Sequence, residues 1–203
     1  MGTLIENFNS LISPAIKAED FAFVPNDSEY ASFLGKYNGG YFYERAFHFY
    51  GFDNNIQWHD ILLINASIQS YYSNFSFSKS FFAIGCDALF TQYGFYKGNV
   101  VSLDIYSGEL EIIANSFNEF ITKLEQESDF YTASSLLAEY ESVNGKLKNG
   151  ERLAAKKPFV LGGEYNISNL RILDQQKLLD FAAFIANEIN GLPDGSNILL
   201  KTE

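Results

Sequence analysis

Between Ser80 and Ala114 the chain is cut into four short β-prone runs, SFFAIG, ALFTQYGFY, VVSLDIY and ELEIIA. Lys97-Gly98-Asn99 separates the second run from the third, and Ser107-Gly108 the third from the fourth. Runs this short, rich in aromatic and β-branched residues, pair with the neighbour that a tight turn delivers. Any fold for this chain must therefore contain an antiparallel meander.

Helical patterns surround that meander. Leu4, Ile5, Phe8, Leu11 and Ile12 predict a first helix over Thr3–Ile12, ended by Ser13-Pro14. Pro25–Glu29 reads as a helix start; Tyr30, Phe33, Leu34 and Tyr37 share one face, and Asn38-Gly39-Gly40 supplies the left-handed residues that close it. One strand is expected from Tyr41 to Tyr50, then a helix over Ile56–Gln69. Ser116-Phe117-Asn118-Glu119 is a capping box opening a further helix. Another follows over Asp129–Glu141, with Phe130, Ala133, Leu136, Leu137 and Tyr140 inward. The stretch from Val143 to Gly150, rich in Gly, Asn and Lys, marks a boundary between residues 1–142 and a C-terminal extension, 143–203. In the extension a strand is expected near Phe159–Leu161, a helix over Asp174–Asn190, a Pro193-Asp194-Gly195 turn and a last strand over Asn197–Lys201.

Charge divides along the same boundary. The formal net charge is −11, but residues 1–142 hold eighteen acids against six bases, whereas 143–203 hold seven against eight. From Glu109 to Glu141 eight acids face only Lys123, a field that repels phosphate backbones and attracts a basic partner. The single Cys86 and an opening segment, MGTLIENFNS, with neither a basic nor a long apolar region, lead us to expect a reducing, cytoplasmic setting. The longest uncharged run, Ile61–Ser78, carries too many polar groups to cross a membrane.

Reactive groups are few. With two histidines, His48 and His59, one cysteine and none of the usual ligand spacings, no metal or other cofactor is expected. Cys86 reads as a small apolar filler in a strand, and Leu161-Gly162-Gly163 lacks the pattern of a phosphate loop. Arg152, Lys156 and Lys157 are flanked by Glu151 and Glu164, so no nucleic-acid patch is expected. Glu109 with Glu111, and Glu125 with Asp129, are spaced to share one face of a strand and of a helix, but acids so placed are usually just solvated. No catalytic residue is assigned.

The order of a helix, Asn38-Gly39-Gly40, an aromatic strand, Ile84-Gly85 with Asp87, Gly98-Asn99-Val100 and Ala114-Asn115-Ser116-Phe117 with Glu119-Phe120 resembles the SUKH superfamily. Its members include yeast cell-wall regulators of the Smi/Knr type and bacterial immunity proteins. The resemblance spans roughly residues 20–125. Where the family often has Asp-x-x-Gly after the central strand, this chain has Asp87-Ala88-Leu89-Phe90, so that turn is expected to be rebuilt. The segment ERLAAKKPFVLGGEYNISNLRILD, with LPDGS later, is similar to extensions on some type VI secretion immunity proteins.

The resemblance implies an α+β fold, a curved, mainly antiparallel sheet with helices packed around it, and a non-enzymatic role. An immunity protein binds a cognate toxin domain, a basic nuclease being one such toxin, and blocks its active surface; it needs no cofactor, nucleic acid or membrane and acts as a monomer or weak dimer. A regulatory or scaffold module that binds another cellular protein is the alternative. The expected protein-binding surface combines acids and rings: Tyr41, Tyr43, Glu44, Asp53, Trp58 and Asp60, with Glu109 and Glu111 on the meander.

Overall fold

The computed structural model describes residues 8–10, 27–53, 55–193, 195–196 and 198. Among these, seven strands form one antiparallel sheet in simple chain order: β1 (Phe8–Ser10), β2 (Gly40–Phe42), β3 (Phe47–Phe49), β4 (Phe82–Cys86), β5 (Gln92–Tyr96), β6 (Asn99–Leu103) and β7 (Leu110–Ala114). The sheet is open, and helices cover it on both sides; the fold is α+β. No described helix is long and apolar enough to cross a membrane.

Helix α1 (Ser28–Tyr37) begins where the Asp27 carboxylate accepts the N–H groups of Glu29 and Tyr30 at 3.0 and 2.8 Å. It ends as expected at Asn38, left-handed at φ 47°, whose N–H donates to the Leu34 carbonyl. Gly39 then has φ 73°, and a Cβ there would lie 2.5 Å from the Phe49 carbonyl oxygen, so both backbone conformation and close approach demand glycine.

The expected single strand Tyr41–Tyr50 is instead a hairpin. Tyr43, Glu44 and Arg45 all have positive φ (52°, 49° and 77°), and the Ala46 N–H closes the turn on the Tyr43 carbonyl. Such residues cost roughly 1–2 kcal/mol each in a left-handed conformation. The turn persists because Arg45 is held twice, over the Tyr41 ring at 4.5 Å and by Nη2 donating to Asn149 Oδ1 at 2.7 Å. The expected first helix is also corrected in part: Phe8–Ser10 pair with Tyr41 and Phe42 as a strand, because backbone pairing along the β2 edge overrides helical spacing. The rest of Thr3–Ile12 lies outside the described residues. Of the final expected strand only Ile198 is described, without regular structure.

Helix α2 (Ile61–Tyr71) starts five residues later than its periodicity suggests, because Asp60 caps it by accepting the Leu63 N–H at 2.9 Å. Its buried Asn65 exchanges two hydrogen bonds with the Ala83 backbone, where β4 carries a register irregularity. The four runs of the meander fall where expected. In the β4–β5 turn Phe90 occupies the left-handed conformation (φ 71°), and Asp87 Oδ1 accepts the N–H groups of Leu89 and Thr91.

Ser116 caps α3 (Phe117–Gln126). The single helix expected over Asp129–Glu141 is two, α4 (Ser128–Thr132) and α5 (Ser134–Asn144), broken at left-handed Ala133. The break resets the helical phase, so Phe130, expected inward, is 77% exposed. In the C-terminal region β8 (Glu151–Ala155) pairs with β9 (Leu170–Asp174), and Phe159–Leu161, expected as a strand, is a 3-10 turn capped by Gly162. The helix expected over Asp174–Asn190 is α6 (Gln175–Ile189), capped by Asp174.

Aromatic packing defines one face of the sheet. Phe33 of α1 meets Phe42 and Phe49, and Phe120 of α3 meets Phe47 and Tyr93. Over the other face lie α2, α6 and β8, joined to the sheet through Asn65 and Arg152 and to each other through Asn187 donating to the Tyr71 carbonyl. One continuous hydrophobic core includes residues from both sides of the boundary near Val143.

Candidate functional site

The strand register places Tyr41, His48, Cys86 and Gln92 directly opposite one another on β2, β3, β4 and β5, a polar row across the sheet face that β8 covers. The His59 ring adds to it. Its Nε2 lies 3.1 Å from the Asn38 carbonyl, which can only accept, so Nε2 carries the proton and Nδ1 accepts from His48 Nε2 at 2.9 Å. This leaves His48 Nδ1 as a buried acceptor without a hydrogen-bond partner among the described residues. Arg152 reaches in from β8: Nε donates to Cys86 Sγ at 3.4 Å, Nη1 to the Glu151 carbonyl at 2.9 Å, and Nη2 finds no partner among the described residues. Tyr50 completes the row through Gln92 Oε1 at 2.8 Å.

This cluster brings a thiol together with two imidazoles, the residue types of nucleophilic catalysis, but its electrostatics oppose that chemistry. His48, His59, Cys86 and Arg152 are all fully buried. Burial pushes the Cys86 thiol up, away from the thiolate that attacks, and holds His48 well below the usual imidazole range, with the nearby Arg152 charge adding to the effect. Burial likewise depresses His59 to about 4. The row fastens β8 to the sheet.

Open to solvent is a cleft of about 560 Å³ at the far end of the meander. Four carboxylates line it: Asp87 from the β4–β5 turn, Asp104 from the β6–β7 connection, Glu111 from β7 and Asp129 from α4. Among the described residues none of its lining is basic. Rings make its walls. Tyr93 and Tyr131 lie inside, while Phe130 and Tyr165, 77% and 62% exposed, stand at the mouth. Burial pushes Asp87 up to about 7, against backbone N–H groups and Arg152 that pull it down. The Tyr165 hydroxyl is raised by burial and then by the charges of Asp87 and Asp129. The local potential is thus negative. Among the described residues no three His, Cys, Asp or Glu side chains converge closely enough to hold a metal ion.

Of the surface residues expected from sequence, only Glu111 lines this cleft. Tyr41 and Asp60 lie inside the fold, 0% and 2% exposed, and cannot present themselves to a partner. Tyr41 is a packing hub for Arg45, Arg152, Trp58 and His48, and its hydroxyl accepts the Gly150 N–H; Asp60 caps α2 and accepts the Asp53 N–H. Tyr43, also buried, joins exposed Glu44 in a separate groove against α5. Trp58 is half-buried against Tyr41 and Gly150, Asp53 is half-buried, and Glu109 is exposed outside the cleft lining. The expected residues therefore do not form one surface. Asp87, Asp104, Phe130 and Tyr165 are not singled out by sequence as site residues, and Asp129 enters there only as the solvated partner of Glu125; the acid-rich stretch from Glu109 to Glu141 is the signal that points nearest to them.

No family model matches the chain, and no curated protein matches it. The crystal structure of Atu4351 from Agrobacterium tumefaciens is similar in fold, with a TM-score of 0.56 and 15% identity, over 88% of this chain and 86% of that one. At that identity the likeness concerns the fold alone.

Proposed function

We propose that this protein works by binding, as an immunity protein of the SUKH type that neutralises a toxin domain by covering its active surface. The observation that carries the reading is the cleft. Two exposed aromatic rings flank a concave surface whose four carboxylates have no basic neighbour in its lining. Exposed rings over a pocket are the anchors around which protein interfaces are built, and a negative field steers a basic partner in, raising association roughly 10- to 1,000-fold. A basic nuclease is the partner class best matched. The same field disfavours nucleic acid itself. In this reading the protein acts in the cytoplasm, where a lone buried thiol stays reduced, as a monomer or weak dimer and without a cofactor.

The test is co-expression with a candidate basic nuclease toxin domain. The wild-type chain should restore survival, and a variant combining Glu111→Lys with Phe130→Ala should fail to do so while melting at an unchanged temperature, since both side chains are exposed. No protection by the wild-type chain would reject the reading.

A further inference from the structure

We infer that the cleft receives an arginine side chain from a loop of the partner protein, held between the Phe130 and Tyr165 rings and the carboxylates beneath them. The inference rests on the binding role proposed above and names what is bound. Three features select a guanidinium. First, among the described residues none of the four carboxylates is ion-paired; the salt bridge formed elsewhere joins Lys123 to Glu119. Second, the carboxylates of the exposed Asp104 and Asp129 are fixed in advance. Backbone N–H groups of Tyr106 and Ser107, and of Ser135, bind the Oδ1 atom, and among the described residues Oδ2 in each lacks a backbone donor. Third, among the described residues no three acids converge here closely enough to hold a metal ion.

A cation bound here must be large enough to address separated carboxylates and flat enough to lie against rings. Guanidinium is planar, donates in two directions at once and stacks on aromatic faces, whereas an ammonium is a compact point charge. The rings are braced for that role. Tyr165 packs on Phe159 with centroids 5.5 Å apart, and Phe130 stands edge-on to Tyr131 at 5.0 Å. A cleft of about 560 Å³ also exceeds what one side chain fills, leaving room for the loop that carries it.

The experiment titrates the full chain with blocked tri-arginine, tri-lysine and tri-citrulline peptides and with spermidine, following amide and ring resonances by NMR. Trp58 lies in another part of the fold and serves as an internal control. The expected result is saturable shifts confined to the cleft, several-fold tighter for arginine than for lysine, absent for citrulline and weakened by added salt. Glu111→Gln with Tyr165→Ala should reduce arginine binding at least tenfold without changing the melting temperature. Equal binding of citrulline, shifts spread away from the cleft, or spermidine binding tighter than arginine would overturn the inference. If the cognate toxin is neutralised but Glu111→Gln with Tyr165→Ala leaves both protection and arginine binding unchanged, the inference fails and the immunity reading survives. Arginine binding in the cleft with no protection by the wild-type chain supports the inference and rejects the toxin as partner.

Discussion

Substituting Asp87 with Asn should separate two opposing pH dependences that partly offset each other in the wild-type protein. The Asp87 carboxyl is pushed from an ordinary value of 3.8 up to about 7 by burial, so between those limits the folded state holds a proton that the unfolded state has released. Stability from this group is therefore present at acid pH and is lost as pH rises toward 7. His59 works the other way. Burial lowers it from 6.5 to about 4, so as pH falls through that window the unfolded chain takes up a proton that the folded one refuses, and stability is lost. At roughly 1.4 kcal/mol for each tenfold change in proton affinity, Asp87 contributes about 4 kcal/mol and His59 about 3 kcal/mol, with opposite signs. His48, also depressed by burial, adds to the acid loss. Urea unfolding of the wild type from pH 8 to pH 4 should accordingly show a smaller acid loss than the two histidines alone would give. Asp87→Asn keeps an acceptor for the Leu89 and Thr91 N–H groups and removes the buried charge. The variant should gain about 4 kcal/mol relative to wild type between pH 4 and pH 8, and its own profile should fall on acidification by about 3 kcal/mol from His59 plus the further loss from His48. A difference between variant and wild type that stays constant across this range would refute the assignment of Asp87 as a carboxyl protonated near neutrality.

Arg152→Met should leave thermal stability unchanged or raise it, since the guanidinium is buried without a carboxylate partner in contact, whereas Arg152→Ala should cost roughly 3 kcal/mol or more through the cavity it leaves. Gly51→Ala should lower stability by roughly 3 kcal/mol or more in the same denaturation assay, because its Cβ would sit 2.0 Å from the Asn38 carbonyl oxygen and 2.6 Å from His59 Nε2. Asp60→Ala should cost about 1–2 kcal/mol by uncapping α2, with Asp60→Asn recovering most of the loss.

The meander and the α1–β2 junction were legible from sequence because their signals are local: turn residues at Lys97-Gly98 and Ser107-Gly108, a capping box at Ser116, a left-handed cap at Asn38. Elements set by distant partners were not. β8 is disguised by Arg152, a charged residue facing inward, and nothing near it in sequence reveals the thiol and ring it packs on. The Tyr43–Arg45 turn contains no glycine, so a run of aromatics reads as one strand although its backbone reverses. Phe130 was assigned inward by extending one helical period across Ala133, whose left-handed conformation no propensity favours. The cleft was hidden for a related reason. Its acids come from two turns, a strand and a helix whose convergence depends on the sheet being assembled, and each acid alone looks like ordinary turn or surface chemistry.

Contacts that seal the polar row are far apart along the chain. The Gly150 N–H meets the Tyr41 hydroxyl across 109 positions, and Arg152 meets Cys86 across 66. During synthesis the strands of the meander emerge with a wet seam of His48, Cys86 and Gln92 that no early segment can roof. Closure waits for the ribosome to deliver β8, so this protein should mature late and all at once, with nascent chains stalled before Gly150 offering a tempting substrate to chaperones and proteases.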